Sequence, residues 1–244
     1  MKKLFYLILC LFIAFEIQAL TPYEATYSLS VTSDLGKLKI GNARFKLVTD
    51  NNDEFTFSST AFTDSIWKTL YDFSRYERSI GLKIDNYINS LYYDLVEIEK
   101  GELTKNNIIR IYPKKNYAIF NNEQRWETIS KSILDELSIY LALSEDVQKN
   151  PNQDVFTYQV IDEKGINQVK FIFEDYETIT INNIEIESMK MISPELQLTL
   201  NLSKAYNFLP VIINRVNQEN HYRLTLREFK ELPQRFVNNL LVKN

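Results

Sequence analysis

Apolar and polar residues alternate along most of the chain, and this is the pattern of β-strands that bury one face. Residues 23–31 place Tyr23, Ala25, Tyr27, Leu29 and Val31 on one side of a strand, because successive side chains point to opposite faces. The alternation recurs between residues 38 and 120 and between residues 155 and 229, with Asn, Asp and Gly at the breaks. Parallel sheets show continuous apolar runs instead, so the pattern predicts antiparallel pairing with one packed face.

Residues 178–187 (TITINNIEIE) form the clearest predicted hairpin. Asn182-Asn183 fits a two-residue turn of type I′, because Asn tolerates the positive φ that both central positions need. Ile181 then lies opposite Ile184, and Ile179 lies opposite Ile186. All four isoleucines therefore fall on one face of the predicted ribbon.

A single stretch has helical rather than strand periodicity. Apolar residues recur at helical spacing from Ile133 to Leu141, Ser130 or Ser132 can cap the start, and Pro151 ends the pattern. We predict an α-helix at about residues 130–148 that packs against a sheet.

The predicted fold is mainly β: a large antiparallel, strongly curled sheet or partly open β-barrel with one mid-chain α-helix. Gly41-Asn42 interrupts the alternation and predicts a bulge, and residues 63–72 predict a short helical turn. We expect one β-rich domain over residues 20–244. The alternative is a division into two domains near residue 150.

The first 19 residues have the features of a secretory signal peptide. Lys2 and Lys3 precede an apolar run from residue 4 to residue 15, and Ala19 is a small residue at the expected cleavage point. The alternative is an uncleaved anchor, but the run is short for a membrane span, which needs about 20 residues. We expect cleavage after Ala19, a periplasmic location and no transmembrane segment in the remainder.

Removing 19 of the 244 residues leaves 225 and removes Cys10, the only cysteine. The mature chain then has no disulfide and no thiol-based nucleophile or metal site. The formal net charge falls from −4 to −5, because two lysines and one glutamate are lost. This mildly acidic balance gives no electrostatic case for binding nucleic acid or anionic lipid.

The order of several segments resembles a known family. These segments are residues 22–31 (PYEATYSLSV), 36–47 (GKLKIGNARFKL), 76–84 (YERSIGLKI), 88–101 (INSLYYDLVEIEKG), 134–143 (LDELSIYLAL), 202–217 (LSKAYNFLPVIINRVN) and 222–230 (YRLTLREFK). Together they are similar to the exported bacterial proteins of the domain of unknown function 3108 family. The resemblance spans nearly the whole mature chain.

Within that resemblance, Asp135, Leu137, Ser138 and Tyr140 match the family's Asp-x-Leu-Ser-x-Tyr helix with a shifted spacing. Asn201 departs from the pattern, because the family has a tryptophan before Leu-Ser. The resemblance implies a Gram-negative periplasmic protein with a barrel-like fold. It implies no catalytic residues.

Motifs for catalysis, metals and cofactors are weak in this sequence. His221 is the only histidine, which disfavours a zinc site or a His-based triad. Residues 50–54 (DNNDE) are rich in oxygen ligands but lack the glycine and glutamate of a calcium loop. Asp135 and Glu136 are neighbours and would point about 100° apart on a helix. We predict no catalytic residue, no metal site and no cofactor.

Residues 71–79 (YDFSRYERS) form the most unusual polar and aromatic cluster. Arg75 and Glu77 alternate with Tyr76 and Arg78, so the interpretation we favour is a cross-strand ion-pair network on a solvated face. The alternative is the mouth of a ligand site, because tyrosine combines apolar area with a polar tip. The candidate ligand-binding residues are Tyr71, Phe73, Tyr76, Tyr92 and Tyr93.

The first functional hypothesis is a non-enzymatic periplasmic protein that binds a lipid-like or other small envelope molecule inside its sheet. The alternative is a module of envelope assembly that binds a partner protein at an exposed sheet edge. A hydrolase using two carboxylates is a third, more remote hypothesis. A cavity of roughly 300 Å³ lined by the aromatic residues favours the first. A filled interior with an open edge strand favours the second.

Overall fold

The computed structural model describes residues 20–33, 36–50, 53–70, 72–128, 132–217 and 220–233. The predicted signal peptide and most of the C-terminal tail lie outside these ranges. The first half of the chain contains β1 (Tyr23–Ser33), β2 (Gly36–Thr49), β3 (Glu54–Thr63), β4 (Phe73–Ile84), β5 (Tyr87–Glu99), β6 (Glu102–Tyr112), β7 (Tyr117–Phe120), β8 (Gln124–Glu127) and β9 (Leu134–Asp135). The second half contains α1 (Ser138–Lys149), β10 (Val155–Asp162), β11 (Gly165–Ile181), β12 (Ile184–Ser193), β13 (Leu198–Ser203), β14 (Leu209–Asn217) and β15 (Asn220–Glu231).

The fifteen strands of the described ranges join one sheet in the order β8-β7-β6-β5-β4-β3-β2-β1-β15-β14-β13-β12-β11-β10-β9. The first and last strands are neighbours at its centre, where Tyr23 lies opposite Glu231. The pairs are antiparallel except for β9 with β10, which run parallel. The prediction of a mainly β fold with a large, curled, open antiparallel sheet and one helix is confirmed.

The predicted bulge lies in β2. The β1–β2 register shifts between Leu29 and Ser30, which face Gly41 and Lys39, so Ile40 is the extra residue. A Cβ at Gly41 would lie 2.1 Å from the carbonyl oxygen of Phe62. Glycine is therefore required here because β2 and β3 approach closely.

The core lies between the concave face of the sheet, here called the inner face, and α1. Tyr27, Phe57 and Tyr93 are almost fully buried on that face, and Ile139 and Leu143 are buried on α1. Aromatic contacts cross the core, for example the T-shaped contact between Phe45 and Tyr140, with centroids 6.2 Å apart. Large side chains and the helix together fill the interior.

The segment before α1 brings the two arms of the sheet together. Leu134 pairs with Val160 of β10, and the amide of Ser90 on β5 donates to the carbonyl of Ile133 at 3.0 Å. Residues 133–135 therefore lie between β5 and β10. This bridge is local, and β8 and β9 do not pair with each other.

Asp135 is the centre of this bridge and has no exposed surface. Its carboxylate accepts hydrogen bonds from the Ser79 hydroxyl at 2.5 Å, the Leu137 amide at 2.9 Å and the Ser138 amide at 2.7 Å. The two amides lie at the start of the helix, where backbone N–H groups have no acceptor within the helix, so Asp135 acts as a cap. Burial raises the pKa of the Asp135 carboxyl, and these hydrogen bonds oppose the rise.

The predicted start of the helix at about residue 130 is wrong. The helix begins at Ser138, because the preceding residues pair with strands instead. Ser132, one of the two predicted caps, donates to the carbonyl of Ile88 at 2.8 Å, and Ser130 lies outside the described residues. The predicted turn within residues 63–72 is present as a 3₁₀ turn at Ser65–Trp67.

Candidate functional site

The structure does not bring the candidate aromatic residues onto one face. Tyr76 is 38% exposed and Tyr92 is half-buried on the outer face, whereas Tyr93 is buried on the inner face. Phe73 is half-buried at the start of β4, and Tyr71 lies outside the described residues. Ligand binding by these five residues stays a prediction, but the four that are described do not line a common pocket.

The outer-face members form a small charged and aromatic cluster. The guanidinium carbons of Arg78 and Arg110 lie 5.6 and 5.8 Å from the centroid of the Tyr92 ring. Arg78 also makes a paired contact with Asp94, with its Nε 2.9 Å from Oδ1 and its Nη2 3.2 Å from Oδ2. This matches the predicted cross-strand ion pairs on a solvated face.

Arg75 and Glu77 belong to a second network, on the inner face. Arg75 donates to Glu77 at 2.9 Å and to Glu97 at 2.7 Å, and the Tyr93 hydroxyl donates to Glu77 at 2.8 Å. The side chains of both glutamates are only 11% exposed. The expectation of a solvated face is therefore wrong for this pair, because ion pairing and hydrogen bonds allow the charges to be buried.

The electrostatics of this inner network are those of a satisfied ion pair. Burial alone would raise the pKa of Glu77, but the Arg75 guanidinium and hydrogen bonds from Arg75 and Tyr93 bring that pKa below its usual value. Both Glu77 and Glu97 are committed to Arg75. Their arrangement suits stabilisation of the sheet rather than proton transfer.

Glu136 and Arg215 extend the charged interior near the start of α1. Burial raises the pKa of the Glu136 carboxyl, and the guanidinium groups of Arg75 and Arg215 oppose the rise. The contact between Arg215 Nη2 and Glu136 Oε1 is long, at 3.9 Å. Because Arg215 is 46% exposed, this pair lies where the interior opens to solvent.

A cavity of about 80 Å³ lies at the opposite end, beside the C-terminal half of α1. Tyr23, Leu141, Tyr206 and Phe229 are among its lining residues. Sites for drug-sized ligands usually have volumes of about 300–1,000 Å³. The cavity is smaller than that, and none of the candidate aromatic residues lines it.

The β11–β12 hairpin has an open edge. β11 pairs with β10 through residues 165–172 and with β12 through residues 172–181, and the last bond toward β10 runs from the Phe173 amide to the Asp154 carbonyl at 2.7 Å. Within the described ranges, residues 174–181 therefore pair with β12 only. We call residues 174–188 the acidic ribbon and residues 174–181 its free edge.

Backbone geometry fixes which residues face the free edge. Asn182 and Asn183 have φ of 51° and 64°, and Ile181 pairs with Ile184 as predicted. The residues that flank such a turn form a hydrogen-bonded pair, and the bonded positions then alternate. Ile179 therefore bonds to β12, while Thr178 and Thr180 direct their N–H and C=O groups outward.

The base and the tip of the ribbon are held by specific contacts. Asn201, the position that departs from the family pattern, is buried and donates to Glu177 and to Ser188, each at 3.1 Å. At the tip, the Asn182 side chain donates to the Arg227 carbonyl at 2.7 Å. Contacts with β13 and β15 thus keep the ribbon in a fixed orientation.

The isoleucines of the ribbon are only partly buried. Ile181 is 2% exposed and Ile179 and Ile186 pack against the core, but Ile184 is 61% exposed. All four share a face, as predicted. The prediction that this face is packed is wrong for Ile184, which lies at the hairpin tip.

The ribbon carries surplus negative charge. Lys190 binds Glu174 at 2.7 Å and Glu177 at 3.1 Å, and hydrogen bonds from Lys190 and Asn201 lower the pKa of Glu177. Among the described ion pairs, none includes the three remaining acids, Asp175, Glu185 and Glu187. Tyr176, 55% exposed, adds an aromatic contact surface beside the free edge.

The described residues add two further findings. No group of three or more His, Cys, Asp or Glu side chains in the described ranges could hold a metal ion. None of the helices described in the structure is long and apolar enough to span a bilayer.

Comparison with known proteins supports the fold alone. No protein-family model matches the chain, and no curated protein matches it. One similar solved structure is a beta-barrel-like protein of domain of unknown function DUF1849 from Brucella abortus. It is 9% identical over 88% of this chain and 99% of that chain, with a TM-score of 0.55. The resemblance to the domain of unknown function 3108 family stays a prediction.

Proposed function

We propose that this protein is a non-enzymatic, exported envelope protein that binds an extended segment of a partner protein by strand addition. The observation that carries the proposal is the free edge of the acidic ribbon, where residues 174–181 have one strand neighbour. An unpaired edge offers a row of N–H and C=O groups to an incoming strand. The location in the periplasm rests on the signal-like residues 1–19.

The filled interior supports partner binding over carriage of a small molecule. α1 and large aromatic side chains occupy the centre of the curled sheet, and the cavity beside α1 measures about 80 Å³. A lipid-like ligand would need more room than that. Binding of a partner strand at the free edge needs no cavity, because main-chain hydrogen bonds provide the affinity.

The charge of the ribbon indicates the class of partner. Surplus carboxylates at Asp175, Glu185 and Glu187 favour a segment with Lys or Arg, since complementary charges increase the association rate and exclude acidic segments. Tyr176 provides a surface for an apolar residue of the same segment. The partner expected is a basic extended segment in which apolar and cationic residues alternate.

Photocrosslinking in intact cells tests this proposal. The photoreactive residue p-benzoylphenylalanine replaces Tyr176, and adducts are identified by mass spectrometry after osmotic release of the periplasm. Thr180→Pro removes an outward N–H without removing a bond to β12, whereas the control Thr180→Val keeps that N–H. We expect one dominant adduct that Thr180→Pro abolishes and Thr180→Val preserves.

Two results would contradict the proposal. One is an adduct pattern that both Thr180 variants leave unchanged, because strand addition requires the outward N–H group. The other is failure of the protein to appear in the osmotic-shock fraction, which contradicts export. Far-UV circular dichroism of both purified variants establishes that the sheet is intact.

A further inference from the structure

The connection between β3 and β4 exposes aliphatic side chains in a well-held segment. We call residues 64–70 the apolar loop, in which Ile66 is 81% and Leu70 is 65% exposed. The Asp64 amide donates to the Ile40 carbonyl at 2.8 Å, and the Trp67 amide donates to the Asp64 carbonyl at 2.9 Å. The side chain of Asn42 also donates to Asp64 at 2.7 Å. The exposure therefore belongs to a fixed conformation.

Trp67 joins the apolar loop to one end of the sheet. Leu29, Val31 and Ile40 form a small separate core, and Trp67 and Tyr222 are among the residues that pack against it. Strands β1 and β2 meet at this end, as do β14 and β15. The apolar loop, which carries Ile66 and Leu70, therefore lies at the end of the sheet where β1 meets β2 and β14 meets β15.

A concave surface of about 310 Å³ lies at the same end. We call it the basic groove. It is lined by Thr32, Lys37, Asn214, Arg215, Val216, His221, Tyr222 and Arg223. Tyr222 belongs both to the groove and to the cluster that holds Trp67, so the groove and the apolar loop lie at the same end of the sheet.

The cations of the groove are crowded together. Partial burial lowers the pKa of Lys37, and the positive charges of Arg223 and Arg227 lower it further. Burial also lowers the pKa of Arg223, and the negative charge of Glu177 opposes this. Glu177 is itself bound by Lys190 at 3.1 Å. Lys37, Arg215 and Arg223 all line the groove, so positive charge is concentrated here in a protein whose formal net charge is −4.

We infer that this end of the protein docks onto the surface of an anionic phospholipid bilayer, with the apolar loop inserted among the headgroups and the basic groove facing their phosphates. Exposed aliphatic side chains flanked by Lys and Arg are the composition of interfacial membrane anchors. The cations of the basic groove and the aliphatic side chains of the apolar loop lie at one end of the sheet, so a bilayer surface can contact both at the same time. The acidic ribbon, by contrast, offers backbone groups to a protein strand.

The inference rests on local charge, whereas the expectation from the sequence used the net charge. The net charge gives no case for anionic lipid, because it averages over the whole chain. A local group of cations is attracted to an anionic surface within a Debye length, and the acid that acts on Arg223, Glu177, is itself bound by Lys190. The folding of β1–β2 against β14–β15 produces that group.

Vesicle sedimentation tests the inference. The purified protein is mixed with vesicles of phosphatidylcholine alone or of equal phosphatidylcholine and phosphatidylglycerol. We expect binding to the anionic vesicles that salt weakens, with little binding to the neutral ones. Each of Lys37→Gln and Arg223→Gln should weaken binding about fivefold, and each of Ile66→Ser and Leu70→Ser about tenfold.

Matched controls lie elsewhere on the surface. Ile84→Ser removes an aliphatic side chain that is 49% exposed at the β4–β5 turn, the opposite end of the sheet, and Lys170→Gln removes an exposed lysine of β11. Neither should change vesicle binding. In a Trp126→Phe background, Trp67 is the only tryptophan, and brominated lipids should quench its fluorescence.

Three results would overturn the inference. They are equal binding to neutral and anionic vesicles, no vesicle binding, and equal loss of binding in the control variants. Thermal stabilisation by inorganic phosphate without vesicle binding would instead assign the groove to a free anion. None of these results bears on the acidic ribbon, so the two proposals can fail separately.

Discussion

Asp135→Ala tests whether the bridge between β5 and β10 stabilises the fold as its geometry indicates. The substitution leaves three buried donors without a partner: the Ser79 hydroxyl and the amides of Leu137 and Ser138. A buried donor left unsatisfied costs about 1–3 kcal/mol. Since the two amides share one carboxylate oxygen and the losses are not independent, we expect the free energy of unfolding to fall by about 3–6 kcal/mol.

Asp135→Asn is the matched variant. An amide oxygen can still accept from Leu137 and Ser138, and the amide nitrogen can donate to the Ser79 hydroxyl, which rotates to accept. We expect a loss of only about 1 kcal/mol. Urea unfolding followed by tryptophan fluorescence and by far-UV circular dichroism measures both variants, and coincident transitions justify a two-state fit. A loss below about 1 kcal/mol for Asp135→Ala, or equal losses in both variants, would refute the reasoning.

The raised pKa of Asp135 predicts the sign of a pH effect. The folded state holds this proton more tightly than the unfolded state, because burial raises the pKa of the carboxyl. The contribution of Asp135 to stability therefore decreases as pH rises from its unfolded pKa through its raised folded pKa. Asp135→Asn lacks this titration, so the wild-type protein should lose stability relative to the variant across that window. A difference in the free energy of unfolding between the wild-type protein and Asp135→Asn that does not change with pH would contradict the raised pKa of Asp135.

Two further substitutions test the inner face. Arg75→Met leaves Glu77 and Glu97 without their cation and should lower the free energy of unfolding by about 3–5 kcal/mol. Replacing both glutamates by glutamine in the same variant should restore most of that loss. Urea unfolding that shows no restoration would contradict the ion-pair account. Gly81→Ala places a Cβ 2.1 Å from the carbonyl oxygen of Asn89 and should cost at least about 1–3 kcal/mol; an unchanged melting temperature would show that the two strands can separate without cost.

The fold was predictable because alternation and turn residues are local signals. The hairpin at residues 178–187, the bulge beside Gly41 and the turn near Trp67 all follow from neighbouring residues. The start of α1 was not predictable in the same way. Residues 132–135 have helix-compatible spacing, but hydrogen bonds to β5 and β10, both distant in sequence, decide their conformation.

The sites were less predictable, because they depend on which strands become neighbours. Alternation put Arg75 and Glu77 on one face of β4. Only the positions of Glu97 and Tyr93 on the neighbouring strand β5 explain how that face can be buried. The free edge of the acidic ribbon exists because the pairing of β11 with β10 reaches only as far as Ile172. The basic groove joins Lys37 to Arg223, which are far apart along the chain.

The pairing of β1 with β15 has a consequence for how the molecule is made. Tyr23 lies opposite Glu231, and the Leu232 amide donates to the Pro22 carbonyl at 2.9 Å. β1 can therefore pair with β15 only after the residues between them have been synthesised, and contacts this distant in sequence form slowly. Until β15 has been synthesised, β1 lacks one of its two neighbours at the centre of the sheet, which leaves time for chaperones to bind the nascent chain.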